Sequence, residues 1–444
     1  MCKGWFLPMF PNGFKAHPRP VFPELSSRAC EVMRGYARLL ADVLPMRAAH
    51  RKRLPENIQE LSMFLTTERK EFLGRDYLHA PRTLGAYLWY FLPWNMLRLA
   101  RLLGGLAFEP PPGAVIVDLG AGPLTTVQSL ALARPDLLAR ELHFYCLDST
   151  PKPLREGRKL YFGLLDLLGL PSHWRTHLVH APWQSGLRDV PQADVLIAAN
   201  FLNELPWHRR DPLMEQVGDF FQTAAGHVRG NGQCLFMEPG NRLGGKLVSM
   251  LRESAVDLGW NVLSPCTHVQ PCPLLGEPRE TSWCHFSVST QGCPDWLTAL
   301  SREAELAKRD LSLSFVHLAG PRGSRLPQEG EQARIISGEF SLPDTRGPAQ
   351  TGRYACHARG KLLLVSAPGE SGTRSGDVVS LALEQDLLQD AKSRALIVNL
   401  HPRTAARIKP NSMQSPQRSR PKKQDSRPRE KKKTTGRTRN QKPK

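Results

Sequence analysis

The sequence predicts an α/β fold: a mostly parallel sheet with helices on both faces, preceded by a helical region and followed by a cysteine-bearing extension. Three observations predict it. Short apolar, β-rich runs at 114–117, 143–147, 193–199 and 234–237 alternate with helix-length segments such as 154–168 and 211–225. The first of these runs leads straight into a glycine turn, Gly120-Ala121-Gly122-Pro123, and then into an apolar helical segment from Thr125. In the first hundred residues, by contrast, apolar side chains recur at steps of three and four, the period of a helix face.

The elements follow in order. From Ser26, the set Val32, Met33, Tyr36, Leu39, Leu40 and Val43 lies on one stripe, and Ser26 or Ser27 can cap the helix. A basic stretch, Arg47, His50, Arg51, Lys52 and Arg53, precedes Pro55, which suits the first turn of a helix expected to run to about Leu73. A further helical stretch, 82–103, is expected to break at Pro93. At Pro110-Pro111-Pro112 the pattern changes to the strand–helix alternation. Beyond Gly259 it weakens into loops with Pro and Cys, with strands expected at 285–289, 314–318, 333–336 and 361–365. The expected organisation is a helical domain over 1–109, a cofactor domain over 110–260, a cysteine extension over 261–380 and a mostly disordered basic tail over 381–444. No internal repeat is visible.

A chain of 444 residues, 41% of them hydrophobic, is long enough for two or three cores. Its formal charge of +19 is concentrated at the end: residues 401–444 hold 16 Lys or Arg against two acids, Asp425 and Glu430. From about Arg403 onward large apolar residues are nearly absent, so burial cannot offset the entropy of ordering, and the segment is expected to be a disordered basic arm suited to RNA or DNA. No apolar run of about 18 residues or more is present, so no membrane span is expected. The apolar start, Met1 to Phe10, is interrupted by Lys3 and lacks a cleavage site, which argues against a secretory signal and against disulfides.

The first chemical signal is Val117-Asp118-Leu119-Gly120-Ala121-Gly122-Pro123. Gly120 and Gly122 allow backbone to approach a ligand where a side chain would clash, and the following helix offers free N–H groups. The next strand ends at Asp148, an acid placed to accept hydrogen bonds from both hydroxyls of a ribose. Position 125 is Thr, so the third glycine of a dinucleotide turn is missing, which favours a ligand without a pyrophosphate; S-adenosylmethionine is the commonest. This assigns the sheet to a Rossmann-like, class I methyltransferase architecture. Asp118, Ala121 and Asn200 join Gly120, Gly122 and Asp148 as candidate cofactor residues. No acid stands at the third strand's end, Ala181-Pro182-Trp183, so the adenine amino group is left to backbone. After the fourth strand, Asn200-Phe201-Leu202-Asn203-Glu204-Leu205-Pro206 matches no amine-methylating Asn/Asp-Pro-Pro-aromatic motif and has no cysteine for attack on a pyrimidine. Asn203 and Glu204 can hydrogen-bond a substrate amine, but capping is the plainer role. No catalytic residue is identifiable.

The sharpest feature is a set of loop cysteines: Pro265-Cys266-Thr267-His268, Pro271-Cys272-Pro273-Leu274 and Trp283-Cys284-His285-Phe286, with five and eleven residues between cysteines. Cys30, Cys146 and Cys234 lie in apolar helices or strands and read as small core residues. Thiolates on loops suit zinc or an iron–sulfur cluster. The spacing has no C-x-x-C knuckle, and Cys272-Pro273 is the dipeptide that follows ferredoxin ligands, so a cluster is favoured over zinc. Cys293, Cys356, His268 and His285 are candidates for the fourth ligand.

Together, the D-L-G-A-G-P turn, the N-E-L-P segment, Glu238-Pro239-Gly240 and the three cysteine motifs resemble the ribosome-associated methyltransferase-like family of bacteria and mitochondria. The similarity covers roughly residues 30 to 380; the basic tail lies outside it. The resemblance implies Cys356 as the fourth ligand of a [4Fe–4S] cluster with Cys266, Cys272 and Cys284. It also implies a factor of the small ribosomal subunit and its rRNA, acting in assembly or translation with little or no methyl transfer. The compartment implied is the cytoplasm in bacteria and the mitochondrial matrix in eukaryotes. An active rRNA methyltransferase, and a zinc-holding general nucleic-acid binder, are the alternatives.

Overall fold

A computed structural model of the chain describes residues 15–16, 20–66, 77–208, 210–275, 282–324, 331–342, 349–369 and 371–400. The N-terminal part is helical. Helix α1 spans Ser27–Val43; Ser26 Oγ accepts from Ala29 N–H at its start, and Val32, Met33, Tyr36 and Leu40 form its buried stripe. Two helices follow, α2 Ala48–Lys52 and α3 Leu54–Thr66. The expected continuation to Leu73 lies outside the described residues.

The break expected at Pro93 does not occur. Helix α4 (Pro81–Ala86) runs through a π-helical turn, Tyr87–Phe91, into α5 (Leu92–Gly105). Leu92 N–H reaches back to Tyr87 O across this wider turn, which places Pro93, with no N–H to donate, in the first turn of α5.

The central sheet is formed by β2 (Ala114–Leu119), β3 (Leu142–Asp148), β4 (Trp174–His180), β5 (Ala193–Ala199), β6 (Val228–Pro239), β7 (Asn261–Ser264) and β9 (Asp310–Ala319), with β8 (Phe286–Ser289) paired to β9. Its order is β4-β3-β2-β5-β6-β9-β7. Pairs among β2 to β6 are parallel, whereas β9 is antiparallel to both β6 and β7. The last strand is thus inserted next to the fifth, so the expected boundary at 260 falls inside the sheet: residues 261–319 complete it.

Side chains alternate across each strand, and two cores result. Ile116 and Phe144 pack with Met33, Tyr36, Leu97 and Val127, so the N-terminal helices share one core with the sheet. Val117 and Leu196 face the other way, toward Phe221 of α9 (Leu213–Gly226) and Leu251 of α10 (Arg242–Asp257). Each fully buried large apolar side chain contributes about 1.5–3 kcal/mol.

A second sheet follows the order β1-β14-β10-β12-β13-β15, comprising Lys15–Ala16, Val378–Ser380, Gln332–Ile335, Thr351–His357, Gly360–Ser366 and Leu396–Asn399. The strand Leu396–Asn399 pairs in parallel with β13, so 381–400 is not part of a disordered tail. Residues 401–444 lie outside the described residues. No helix among the described residues is long and apolar enough to cross a membrane.

Candidate cofactor cleft and cysteine site

The glycine turn sits at the C-terminal end of β2, where a parallel sheet opens a crevice. Gly120 and Gly122 adopt φ of +67° and +49°, and Leu124 enters the following helix, α6 (Thr125–Ala133), at +55°. Gln128 of α6 braces the turn: its Nε2 donates to Pro123 O at 2.7 Å, and its Oε1 accepts from Tyr36 of α1 at 2.6 Å. The backbone of Pro123 also meets Gly157 of α7 (Pro151–Leu168), so closely that a Cβ there would collide with it.

A cavity of 460 Å³ opens against this turn, lined among others by Gly120, Asp148, Trp183, Phe201 and Glu204. Asp148 accepts from Gly122 N–H at 2.9 Å and Thr150 N–H at 2.8 Å, one bond on each carboxylate oxygen. Asp118 does not reach the cavity. It is buried beneath the turn and accepts from Thr126 Oγ1 at 3.0 Å; burial pushes its carboxyl up to about 8, against the Thr126 bond and with the help of the nearby Asp148 charge. Gly122 and Ala121 act through backbone: Gly122 holds Asp148, and Ala121 N–H donates to Leu147 O. Asn200 holds a φ of +57° and donates its N–H to Met237 O, while its Oδ1 is buried without a partner. A Cβ on Gly120 would strike the ring of Phe201.

The N-E-L-P and E-P-G motifs prove to be one structural unit. Glu238, fully buried, accepts from Leu202 N–H at 2.8 Å and Asn203 N–H at 3.2 Å, fixing the short turn Leu202–Glu204 that carries Glu204 to the cavity. Asn203 itself is buried. Gln184 joins Ala181, Pro182 and Trp183 on the wall beyond the third strand. The helical wall was not legible in the sequence: Leu78 lines the cavity, and Tyr87 is pushed up first by burial and then by the charges of Glu204 and Asp148. Such contacts join segments far apart in the chain and leave no local pattern.

Three of the cysteines lie on loops of the central sheet, and the fourth lies in the second sheet. Cys266 follows β7; Cys272 N–H donates to Glu253 Oε1 at 3.0 Å; Cys284 O accepts from Ser314 Oγ at 2.7 Å. Cys356 stands in β12, opposite Arg334 of β10, and its Sγ lies 3.4 Å from His268 Nε2. Burial, and then the neighbouring thiols Cys266, Cys272 and Cys284, push the Cys356 thiol well up. Cys284 is raised in the same way by burial and by Cys266 and Cys272. Cys293 belongs elsewhere, with Cys30, Arg101 and Glu24. Two buried guanidiniums flank the set. Arg334 donates to Pro265 O at 2.6 Å and Arg252 to His268 O at 2.8 Å, one on each side of Cys266. Trp283 anchors the third cysteine motif, its Nε1 donating to Gly240 O at 3.0 Å. Among the described residues, no three or more His, Cys, Asp or Glu side chains form a group that could hold a metal ion. Cys356 is buried, Cys266, Cys272 and Cys284 are partly buried, and, after burial, all three raise the Cys356 thiol by their charge; thiols suit a soft metal centre and bind one only as they ionise.

Counted from β2, the strand order reads 3-2-1-4-5-7-6 with the seventh strand antiparallel, which together with the glycine turn and strand-end acid defines a class I methyltransferase fold. The family described as mitochondrial small ribosomal subunit Rsm22 matches residues 117–339, half of the chain, and the chain belongs to it. No curated protein matches the chain. Among solved structures, a putative S-adenosylmethionine-dependent methyltransferase from Streptococcus mutans is 8% identical over 51% of this chain and 48% of that one, with a TM-score of 0.30. This chain therefore spans about half the length of that protein. Precorrin-6y C5,15-methyltransferase from Geobacter metallireducens is 11% identical over 56% and 93%, at 0.28. A putative class I S-adenosylmethionine-dependent methyltransferase from Listeria monocytogenes is 12% identical over 68% and 90%, at 0.29. The fold assignment rests on strand order and not on these likenesses.

Proposed function

We propose that the chain is a factor of the small ribosomal subunit that contacts rRNA, binds S-adenosylmethionine in the 460 Å³ cavity and holds a [4Fe–4S] cluster on Cys266, Cys272, Cys284 and Cys356, acting in assembly or translation. The observation that carries the reading is the family match over 117–339, a span that includes the glycine turn, Asp148 and the first three cysteines. The cofactor assignment is supported by the turn and by Asp148, whose carboxylate is oriented by two backbone amides at the cavity wall. The cluster assignment is supported by the donor chemistry and by the absence of Cys293 from the group; a bound cluster would supply charge and a cross-link between the two sheets. The family name points to the mitochondrial matrix as the compartment.

A second reading, active rRNA methyl transfer, has Glu204 in its favour, the acid that lines the cavity. Two measurements test both. Calorimetric titration with S-adenosylmethionine should give binding that Gly120→Val abolishes by filling the space against Phe201 and that Asp148→Ala weakens roughly ten- to hundredfold. Unchanged affinity in both variants removes the cofactor assignment. Crosslinking in cells followed by sequencing should recover small-subunit rRNA; a methyl group at the bound site that vanishes on deletion of the protein would establish the second reading.

A further inference from the structure

Cys30 and Cys293 stand apart from the four thiols proposed as ligands, and they share a small cavity. It measures 70 Å³, room for roughly two waters, and its walls include Glu24, Cys30, Leu97, Arg101, Cys293 and Leu311. Both cysteines carry free thiols and are half-buried. They come from distant parts of the chain. Cys30 lies in the first turn of α1, its N–H donating to Ser26 O at 3.0 Å. Cys293 closes a turn just before α11 (Asp295–Glu303), its N–H donating to Thr290 O at 3.1 Å. Three residues further along each segment the two are fastened together: Trp296 Nε1 donates to Met33 O at 2.9 Å, and its ring meets that of Trp89 at near right angles, with centroids 6.2 Å apart. That hydrogen bond joins residues 263 apart, the same separation as Cys30 and Cys293, and it holds the walls of the cavity in place.

The surroundings suit thiol chemistry. Arg101 is 7% exposed; its two terminal nitrogens pair with Glu24 at 2.8 and 2.9 Å, and its Nε is buried with no hydrogen-bond partner. A thiolate formed at this cavity has that cation beside it. Burial pushes the Cys293 thiol up to about 11, with the Arg101 charge acting the other way and Cys30 and Glu24 adding to the rise, so it rests protonated at neutral pH. We propose that Cys30 and Cys293 form an oxidisable dithiol, which hydrogen peroxide converts into an intramolecular disulfide that clamps α1 to the loop before α11. One thiolate attacks a peroxide oxygen and breaks the O–O bond, giving a sulfenic acid and, after proton uptake, one water. The second sulfur then displaces the sulfenic hydroxyl, which leaves with the second thiol's proton as another water while the S–S bond forms. The two thiols lose two electrons and the peroxide takes both. The link spans 263 residues and constrains the unfolded chain, so the oxidised form is the more stable one. Neither the cofactor reading nor the cluster reading is needed for it.

The test is treatment of the reduced full chain with hydrogen peroxide, followed by alkylation of the remaining thiols and peptide mass spectrometry. A linked pair of peptides carrying Cys30 and Cys293 should appear, lighter than the two reduced peptides by two hydrogen atoms and reopened by dithiothreitol. Its rate of formation should rise roughly five- to tenfold from pH 7 to pH 8, as the thiolate fraction does. The linked protein should melt higher than the reduced one. Cys30→Ser and Cys293→Ser should each abolish the link and that gain, and leave the remaining cysteine to be trapped as a sulfenic acid by a dimedone probe. Should a serine variant fail to fold, the wild-type linkage map alone decides. Singly oxidised Cys30 and Cys293 with no link between them overturn the proposal, as does a link of either to another cysteine. A link that forms only after denaturant has unfolded the chain overturns it too.

Discussion

Asp118 and Asp148 stand one strand apart and do different work. Asp148 is half-buried, and two backbone amides keep its carboxylate oriented at the cavity wall. Asp118 is sealed beneath the glycine turn, where burial raises its carboxyl to about 8. An acid whose folded value is raised contributes stability below its unfolded value and loses it as pH climbs through the folded one. The protein is therefore expected to lose stability between pH 4 and about 8, by an amount on the order of a few kcal/mol. Asp118→Asn should flatten that dependence, which denaturant melts at pH 5 and pH 9 will read; a variant with the wild-type slope would show that Asp118 titrates normally. Of this pair, the sequence marks both acids but cannot rank their exposure. Both lie at the C-terminal end of a strand, and only the packing of α6 and Thr126 over one of them separates a buried strut from a ligand-facing group.

At the scale of elements, three loops and one strand carry the four cysteines proposed as cluster ligands. Spacing identifies the three loop thiols, whereas Cys356 lies in an ordinary-looking strand and becomes a member of the set through the pairing of β12 with β10. Replacing any one of the four by Ser is expected to cost iron and solubility together, whereas Cys293→Ser should leave iron content unchanged. Iron analysis of anaerobically prepared protein should find about four atoms per chain, as the cluster type requires. One zinc and no iron would keep the site and change its metal. Loss of metal from Cys293→Ser with retention in Cys356→Ser would reassign the fourth ligand. The helix over 81–105 gives the opposite lesson. A proline in a helical run reads as a break, yet the π-turn before Pro93 carries the chain through because α5 packs on the sheet through Leu97, Leu99 and Leu103.

For the whole molecule, the antiparallel strand β9 binds what look like separate domains. It lies between β6 and β7 and supplies Leu313, Phe315, Val316 and Leu318 to both cores. A fragment ending at residue 260 lacks that strand and exposes the edge of β6, so it should aggregate where a chain spanning 20–400 stays folded; a soluble, cooperatively melting 110–260 fragment would show that the sheet closes without β9. The N-terminal helices are equally integral, since Tyr36 reaches Gln128 behind the glycine turn. The basic tail is expected to contribute to RNA binding and not to the folded core. Truncation after His401 should leave the melting temperature unchanged while weakening RNA binding and flattening its salt dependence, because fewer counterions are released. Unchanged affinity and slope would make the tail a solvated appendage.

By itself the sequence determined the fold class, most strand and helix positions, the glycine turn with its strand-end acid and the three loop cysteines. These are encoded locally: periodicity fixes an element, glycine fixes a left-handed turn, and proline beside cysteine marks an exposed loop. Tertiary structure decided what depends on distant partners. The domain boundary at 260 disappears because β9 returns into the sheet, and Glu238 joins two motifs 35 residues apart through backbone hydrogen bonds. Leu78 comes to line the same cavity as Asp148 although it precedes that acid by 70 residues in the chain. Burial and long-range contact set the charge state and reach of these side chains, and neither is written in the residues next to them.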